Sequence, residues 1–124
     1  MAYIRLAPSD PARWHVDPGT AEIDGEHRSV TLDGVAPDDV LDRLDAIAVA
    51  SPRTLRLAGS PQEGRITWIT RSAFFGFPDY TTAAARQEGS ATLLTVHARQ
   101  RFGRYDLGVN AARLDAWLGQ LSTP

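Results

Sequence analysis

The chain has 124 residues, and its 13 basic and 15 acidic side chains give a formal net charge of −2 at pH 7. This length fits one domain that can bury a core without staples, and the absence of cysteine excludes disulfides and thiolate metal ligands. The slightly acidic balance argues against a nucleic-acid partner. No run approaches the roughly 20 apolar residues that span a bilayer, so we expect the chain as given to be soluble.

The first predicted segment is an N-terminal arm, residues 1–26, in which proline and glycine interrupt any regular apolar period. We expect this arm to be extended, with Trp14 anchored on the core. Residues 27–124 are then predicted to form one folded domain. A short strand is predicted over 28–32, where apolar and polar residues alternate.

A helix is predicted over residues 37–50. Pro37 suits the first helical position, acidic residues follow it where the helix dipole is positive, and Ser51-Pro52 ends the helix. The apolar side chains recur at helical spacing and form one stripe, consisting of Val40, Leu41, Leu44, Ile47 and Ala48.

Four strands follow, because the apolar period changes from helical spacing to two. The connections between them are short, which implies antiparallel pairing in a meander. The predicted strands cover residues 54–58, 65–72, 79–86 and 91–101.

The last element is a helix predicted over residues 110–121, with Asn110 as its N-cap. Its apolar stripe consists of Leu114, Trp117, Leu118 and Leu121. The element order is therefore β-α-β-β-β-β-α. Two amphipathic helices each need an apolar surface, which predicts an α+β two-layer sandwich: an antiparallel sheet of about four or five strands with both helices on one face.

The other sheet face is the predicted ligand-binding surface. If the strands are in register, Arg71, His97, Arg99 and Arg101 share this face, with Tyr80 at its edge. Clustered guanidinium groups bind carboxylates or phosphates, so the expected ligand is a small anion or a lipid headgroup, with a protein partner as the alternative. The competing interpretation is that these arginines form a structural ion network with Asp79 and Asp106.

A second group of residues is expected to have a structural role at the start of the last helix. Asp106 and Asn110 satisfy the turn and the free N–H groups, and Gly108 supplies an unusual backbone angle. An alternative function is a small acid–base enzyme, hydrolase- or isomerase-like, that uses Asp79, His97 or Asp106. No nucleophile, nucleotide or metal motif accompanies these residues, so the catalytic residues stay unknown and neither a cofactor nor a metal is expected.

Three motifs resemble one known family. Thr70-Arg-Ser72, Phe77-Pro-Asp-Tyr80 and the run from Arg99 to Asn110 are similar to the DUF1499 family, a bacterial and plastid family of unknown function. The resemblance covers roughly residues 37–121, and the segment from Leu6 to His15 resembles alphaproteobacterial members. Such members often carry a hydrophobic segment before this point. The resemblance therefore implies, as a third alternative, a membrane-tethered or periplasmic accessory domain from which an anchor has been removed.

The structural role expected of Asp106 gives a direct test. Asp106→Ala should lower the melting temperature markedly, because a lost cap costs about 1 kcal/mol. Thermal denaturation followed by circular dichroism measures this, and an unchanged melting temperature would contradict the role.

Overall fold

The computed structural model describes residues 9–18, 25–73, 76–100 and 108–122. Two helices flank the first strand along the chain, α1 being a single turn. The elements are α1 Pro11–Trp14, β1 Glu26–Asp33, α2 Pro37–Val49, β2 Thr54–Ser60, β3 Arg65–Arg71, β4 Pro78–Glu88, β5 Ala91–Gln100 and α3 Val109–Leu121.

The strands form one antiparallel sheet in the order β1-β5-β4-β3-β2. Strands β2 to β5 form the predicted meander, which is possible because each connection is short. Strand β1 is the edge strand next to β5, with Glu26 opposite Ala98 and Asp33 opposite Ala91. The α+β architecture is confirmed.

Helices α2 and α3 cover one side of this sheet and bury its main core. Trp68 of β3 is fully buried, and its ring meets that of Trp117 of α3 edge-on at 5.6 Å between centroids. Val96 and Leu94 of β5 are buried beside them, against Leu41 of α2. Both helices therefore lie on the same face, as their apolar stripes predict.

Most elements begin or end one or two residues from the predicted position, and two of these differences concern β1 and the last helix. Strand β1 begins at Glu26 rather than at residue 28, because its partner β5 extends far enough to pair with it. Helix α3 begins at Val109 with Gly108 as its N-cap, so Asn110 lies in the first turn instead of capping the helix. Gly108, for which an unusual backbone angle is expected, has a φ of 79°.

The described part of the arm also differs from an extended chain. Residues 11–14 form one helical turn, which Asp10 begins by accepting a hydrogen bond from the Ala12 N–H at 2.9 Å. Trp14 at the end of this turn is buried, as predicted, with 6% of its surface exposed.

Asp45 joins helix α2 to the sheet. Its carboxylate accepts hydrogen bonds from the Arg56 guanidinium at 2.6 and 3.1 Å and from the Trp68 indole at 2.9 Å. Partial burial alone would raise the pKa of Asp45, but the hydrogen bonds from Arg56 and Trp68 together outweigh it, so the pKa is lowered. The ionised form of Asp45 therefore stabilises the fold.

Asp45→Ala should lower the free energy of unfolding by about 1 kcal/mol at pH 7, a value kept small because Arg56 is partly exposed. The pKa is lowered on folding, so this contribution is present above the unfolded pKa of about 3.9 and is lost as pH falls through the lower folded value. Urea denaturation at pH 7 and pH 2 measures both effects. Asp42→Ala, a change at an exposed position on the same helix, is the control and should have little effect. A deficit for Asp45→Ala that does not shrink in acid would contradict the assignment.

Candidate functional site

The sheet face opposite the two helices, called the second face here, carries polar and aromatic side chains. Side chains alternate along a strand, so the neighbours of the core residues Trp68, Val96 and Ala98 point away from the helices. The strand pairing sets Tyr80 opposite Arg99 and Thr82 opposite His97. The side chains on the second face include Arg65, Thr67, Ile69 and Arg71 of β3, Tyr80 and Thr82 of β4, His97 and Arg99 of β5, and His27 of β1. Arg101 lies outside the described residues.

The arm covers the middle of the second face. The Trp14 ring stacks on the Tyr80 ring at 4.0 Å between centroids and 11° between planes, and both pack with Ile69. His15 Nδ1 lies 2.7 Å from the Thr67 hydroxyl, and its Nε2 lies 2.9 Å from a Glu63 carboxylate oxygen. The arm is thus attached by both an aromatic stack and polar contacts.

Arg99 lies beneath this arm. Its Nη2 donates to the Trp14 carbonyl at 3.2 Å, and its guanidinium carbon lies 4.8 Å from the centre of the Trp14 ring. The Thr82 hydroxyl donates to the same carbonyl at 3.1 Å. Much of the bonding capacity of Arg99 is therefore directed at the arm.

His97 is buried beside Arg99, with 2% of its surface exposed. Its imidazole stacks on that of His27 at 3.9 Å between centroids and 9° between planes, because the two residues are paired across β1 and β5. In this position His97 packs within the sheet face rather than facing an open cavity.

Asp79 lies on the other side of the sheet. Its carboxylate is 3.5 Å from Nη2 of Arg113 in α3, and both side chains are largely buried. Arg113 also donates to the side-chain oxygen of Asn110, which fixes the start of α3. The sheet therefore separates Asp79 from Arg71, Arg99 and His97, so Asp79 forms neither a direct ion pair with these arginines nor an acid–base pair with His97. Asp106 lies outside the described residues.

Arg71 borders a cleft of about 570 Å³ at the end of β3. Its Nη1 donates to the Gly76 carbonyl at 2.8 Å. Arg53 also lines this cleft, and its Nε donates to the Arg71 carbonyl at 3.0 Å. Sequence reasoning missed Arg53, because it lies in a turn where no apolar period marks its neighbours.

A second cleft of about 570 Å³ lies at the other end of the strands. Its lining includes two arginines, Arg65 and Arg86, and two acids, Asp17 and Glu63. The lining of this cleft therefore has mixed charge. Two of its charged side chains also have partners, since Glu63 contacts His15 and Arg86 lies 3.4 Å from Glu88.

Across the described ranges, no three histidine or acidic side chains come together as metal ligands. Within the same part of the chain, no helix has the length and apolarity needed to cross a membrane.

Two helices on one side of an antiparallel sheet, with an N-terminal arm on the other side, define a small two-layer α+β domain. The chain belongs to the family described as Protein of unknown function (DUF1499), whose sequence profile matches residues 4–121. This chain is similar to a solution NMR structure of a protein from Thermobifida fusca. The alignment covers 75% of this chain and 81% of the Thermobifida fusca chain, at 12% sequence identity and a TM-score of 0.40. A search of curated proteins found no match.

The arm contact yields a prediction about stability. Trp14→Ala should lower the free energy of unfolding by about 3 kcal/mol, because it removes a buried indole and its stack on Tyr80. Tyr80→Phe keeps the stack and removes only the hydroxyl that lies 2.8 Å from Ser9 Oγ, so its cost should be about 1 kcal/mol. Guanidinium denaturation of both variants measures the difference. Equal costs for the two variants would show that the stack does not hold the arm.

Proposed function

We propose that this chain is a binding domain without chemistry of its own, and that it recognises an anionic group, a carboxylate or a phosphate, through arginines of the second face. The observation that carries the proposal is the separation of Arg71 from Asp79. The expected counter-ion is bound to Arg113 on the other side of the sheet, and within the described residues no carboxylate contacts Arg71. Arg71 is therefore available to an anion from solution.

The chemistry of Arg71 fits this role. A guanidinium has five N–H groups in a planar fork, which matches the two oxygens of a carboxylate or phosphate. One nitrogen of Arg71 is held by the Gly76 carbonyl, which fixes the side chain in the cleft and leaves other N–H groups for a ligand. Pre-orientation of this kind lowers the entropy lost on binding.

The remaining residues of the predicted set have supporting roles in this proposal. Arg99 lies under the arm, so we assign it to the positive field of the second face rather than to direct contact, and we assign His97, which is buried against His27, to the packing of that face. Arg101 is assigned to the same set from its position in the sequence.

The alternative of an acid–base enzyme has less support, because Asp79 and His97 point to opposite sides of the sheet. A tethered accessory domain is compatible with the same chemistry, since a lipid headgroup also presents a phosphate. The two sources of the anion, free in solution or on a membrane surface, are distinguished by experiment.

The test is an NMR titration of the ¹⁵N-labelled chain with inorganic phosphate, with acetate, and with vesicles containing an anionic phospholipid. Arg71→Ala should weaken binding of the anion about tenfold or more, because a charge-assisted bidentate contact is lost. Arg86→Ala, in the mixed-charge cleft, is the matched control and should bind as the unaltered chain does.

Binding of vesicles without binding of free anions would identify a lipid headgroup as the ligand, provided that Arg71→Ala abolishes it. Equal weakening by Arg71→Ala and Arg86→Ala would show nonspecific charge attraction and overturn the proposal. No response to any of the three probes would overturn it as well.

A further inference from the structure

The cleft beside Arg71, called the β2–β3 cleft here, has walls of two different kinds. It lies between the carboxyl end of α2, the start of β2 and the end of β3, and its volume of about 570 Å³ is within the range of small-molecule sites. Its lining includes two arginines, Arg53 and Arg71, called the charged wall here, and two apolar side chains, Val49 and Leu55, called the apolar wall.

The charged wall is rigid. The Arg71 N–H donates to the Arg53 carbonyl at 3.1 Å, while the Arg53 side chain donates back to the Arg71 carbonyl at 3.0 Å. Within the described residues neither guanidinium contacts a carboxylate. Among the residues that the structure describes, these two positive charges at the cleft therefore have no carboxylate partner.

The hydroxyls of the cleft are largely engaged elsewhere. Ser51 accepts a hydrogen bond from the Trp117 indole and donates to the Ile47 carbonyl, Thr54 donates to the Pro52 carbonyl, and Ser72 accepts from the Phe77 N–H. Polar recognition in the cleft is therefore left chiefly to the two guanidinium groups.

Arg53 holds a backbone conformation that favours glycine. Its φ is 54°, and it is the one non-glycine residue with positive φ in the described part of the chain. Side-chain-bearing residues adopt this region rarely, and outliers of this kind concentrate at functional sites. An arginine at this position is consistent with a need for its guanidinium.

The apolar wall is unusually exposed. Leu55 has 70% of its surface exposed and Val49 has 47%, and among the described residues the only other large apolar side chain exposed to this degree is Val109, at 48%. Two of these three side chains therefore line the same cleft as the two arginines. A ligand that covered them would gain free energy in proportion to the apolar area removed from water.

From this juxtaposition we infer that the β2–β3 cleft binds an amphiphilic organic anion, a carboxylate or phosphate monoester with an attached apolar chain. The head contacts Arg53 and Arg71, and the chain lies on Val49 and Leu55. This inference rests on the proposed function and goes beyond it, because inorganic phosphate or acetate would use the charged wall alone.

The experiment is an NMR titration of the full chain with straight-chain carboxylates from acetate to octanoate, and with hexyl phosphate beside inorganic phosphate. Affinity should rise up to about fourfold for each added methylene, and level off once the chain extends past the apolar wall. Hexyl phosphate should bind more tightly than inorganic phosphate.

Three variants locate the site. Leu55→Ser should flatten the dependence on chain length while leaving the affinity for acetate unchanged, and Val109→Ser, the matched control, should alter neither. Arg53→Gly should weaken all of the anions about tenfold without lowering the melting temperature, because glycine adopts a φ of 54° without strain.

Each result bears on the inference. A flat dependence on chain length, with phosphate binding that still requires Arg71, would overturn it and leave the proposed function standing. If no anion of either series binds, the inference fails, and the proposed function fails with it only if the anionic vesicles do not bind either. If affinity rises with chain length but Arg53→Gly and Arg71→Ala do not weaken it, the chain adsorbs apolar molecules without a head site, and the inference is overturned.

Discussion

The alternation of side chains along β3, β4 and β5 is the constraint on which the rest of the structure depends. It directs Trp68 and Val96 toward the helices, and Tyr80 and Arg99 toward the arm. A shift of one residue in the pairing would turn the indole of Trp68 outward and bring a guanidinium into the core, so the register is strongly specified. The two sides of the sheet consequently have different covers: two amphipathic helices on one, and a short aromatic and polar segment on the other.

The same alternation sorts the charges. On the helix side, three ion pairs of the described residues join the two layers: Arg56 of β2 with Asp45 of α2, Asp79 of β4 with Arg113 of α3, and Arg28 of β1 with Asp115 of α3. These acids are used to hold the helices on the sheet. On the second face, Arg99 interacts with an indole and a backbone carbonyl, and Arg71 with a carbonyl. The positive charge of Arg71 at the end of β3 therefore arises because these acids lie on the helix side of the sheet.

Much of the architecture could be predicted because it depends on local patterns. The apolar stripe of α2, the period of two in β3 and β5, and the short turns between strands define two helices and a meander without knowledge of distant contacts. The pairing of β1 with β5 is different, because the paired residues, such as Asp33 and Ala91, are far apart in the sequence. No local pattern determines which free edge the first strand will occupy.

The candidate site was harder to predict, for related physical reasons. Alternation along the strands predicts that Arg71, His97 and Arg99 share one face of the sheet. The face on which Asp79 lies depends instead on where β4 begins and on its register with β3. The helical turn of the arm depends on the fit of Trp14 against Tyr80, which are distant in sequence. Arg53 gave no signal, because its left-handed backbone comes from reciprocal hydrogen bonds with Arg71 rather than from its own residue type.

The position of the arm also has a consequence for the order of assembly. The hydrogen-bond partners of Trp14 and His15, on the sheet and in the turn between β2 and β3, lie between 48 and 85 residues later in the chain. Ribosomal synthesis exposes the arm first, yet its docking surface is complete only after Arg99 has been added and the last strands have paired. Closing loops of this length is entropically costly, so docking of the arm is expected to be a late step in folding. The arm is thus made before the sheet surface that holds it, and it docks after that surface has formed.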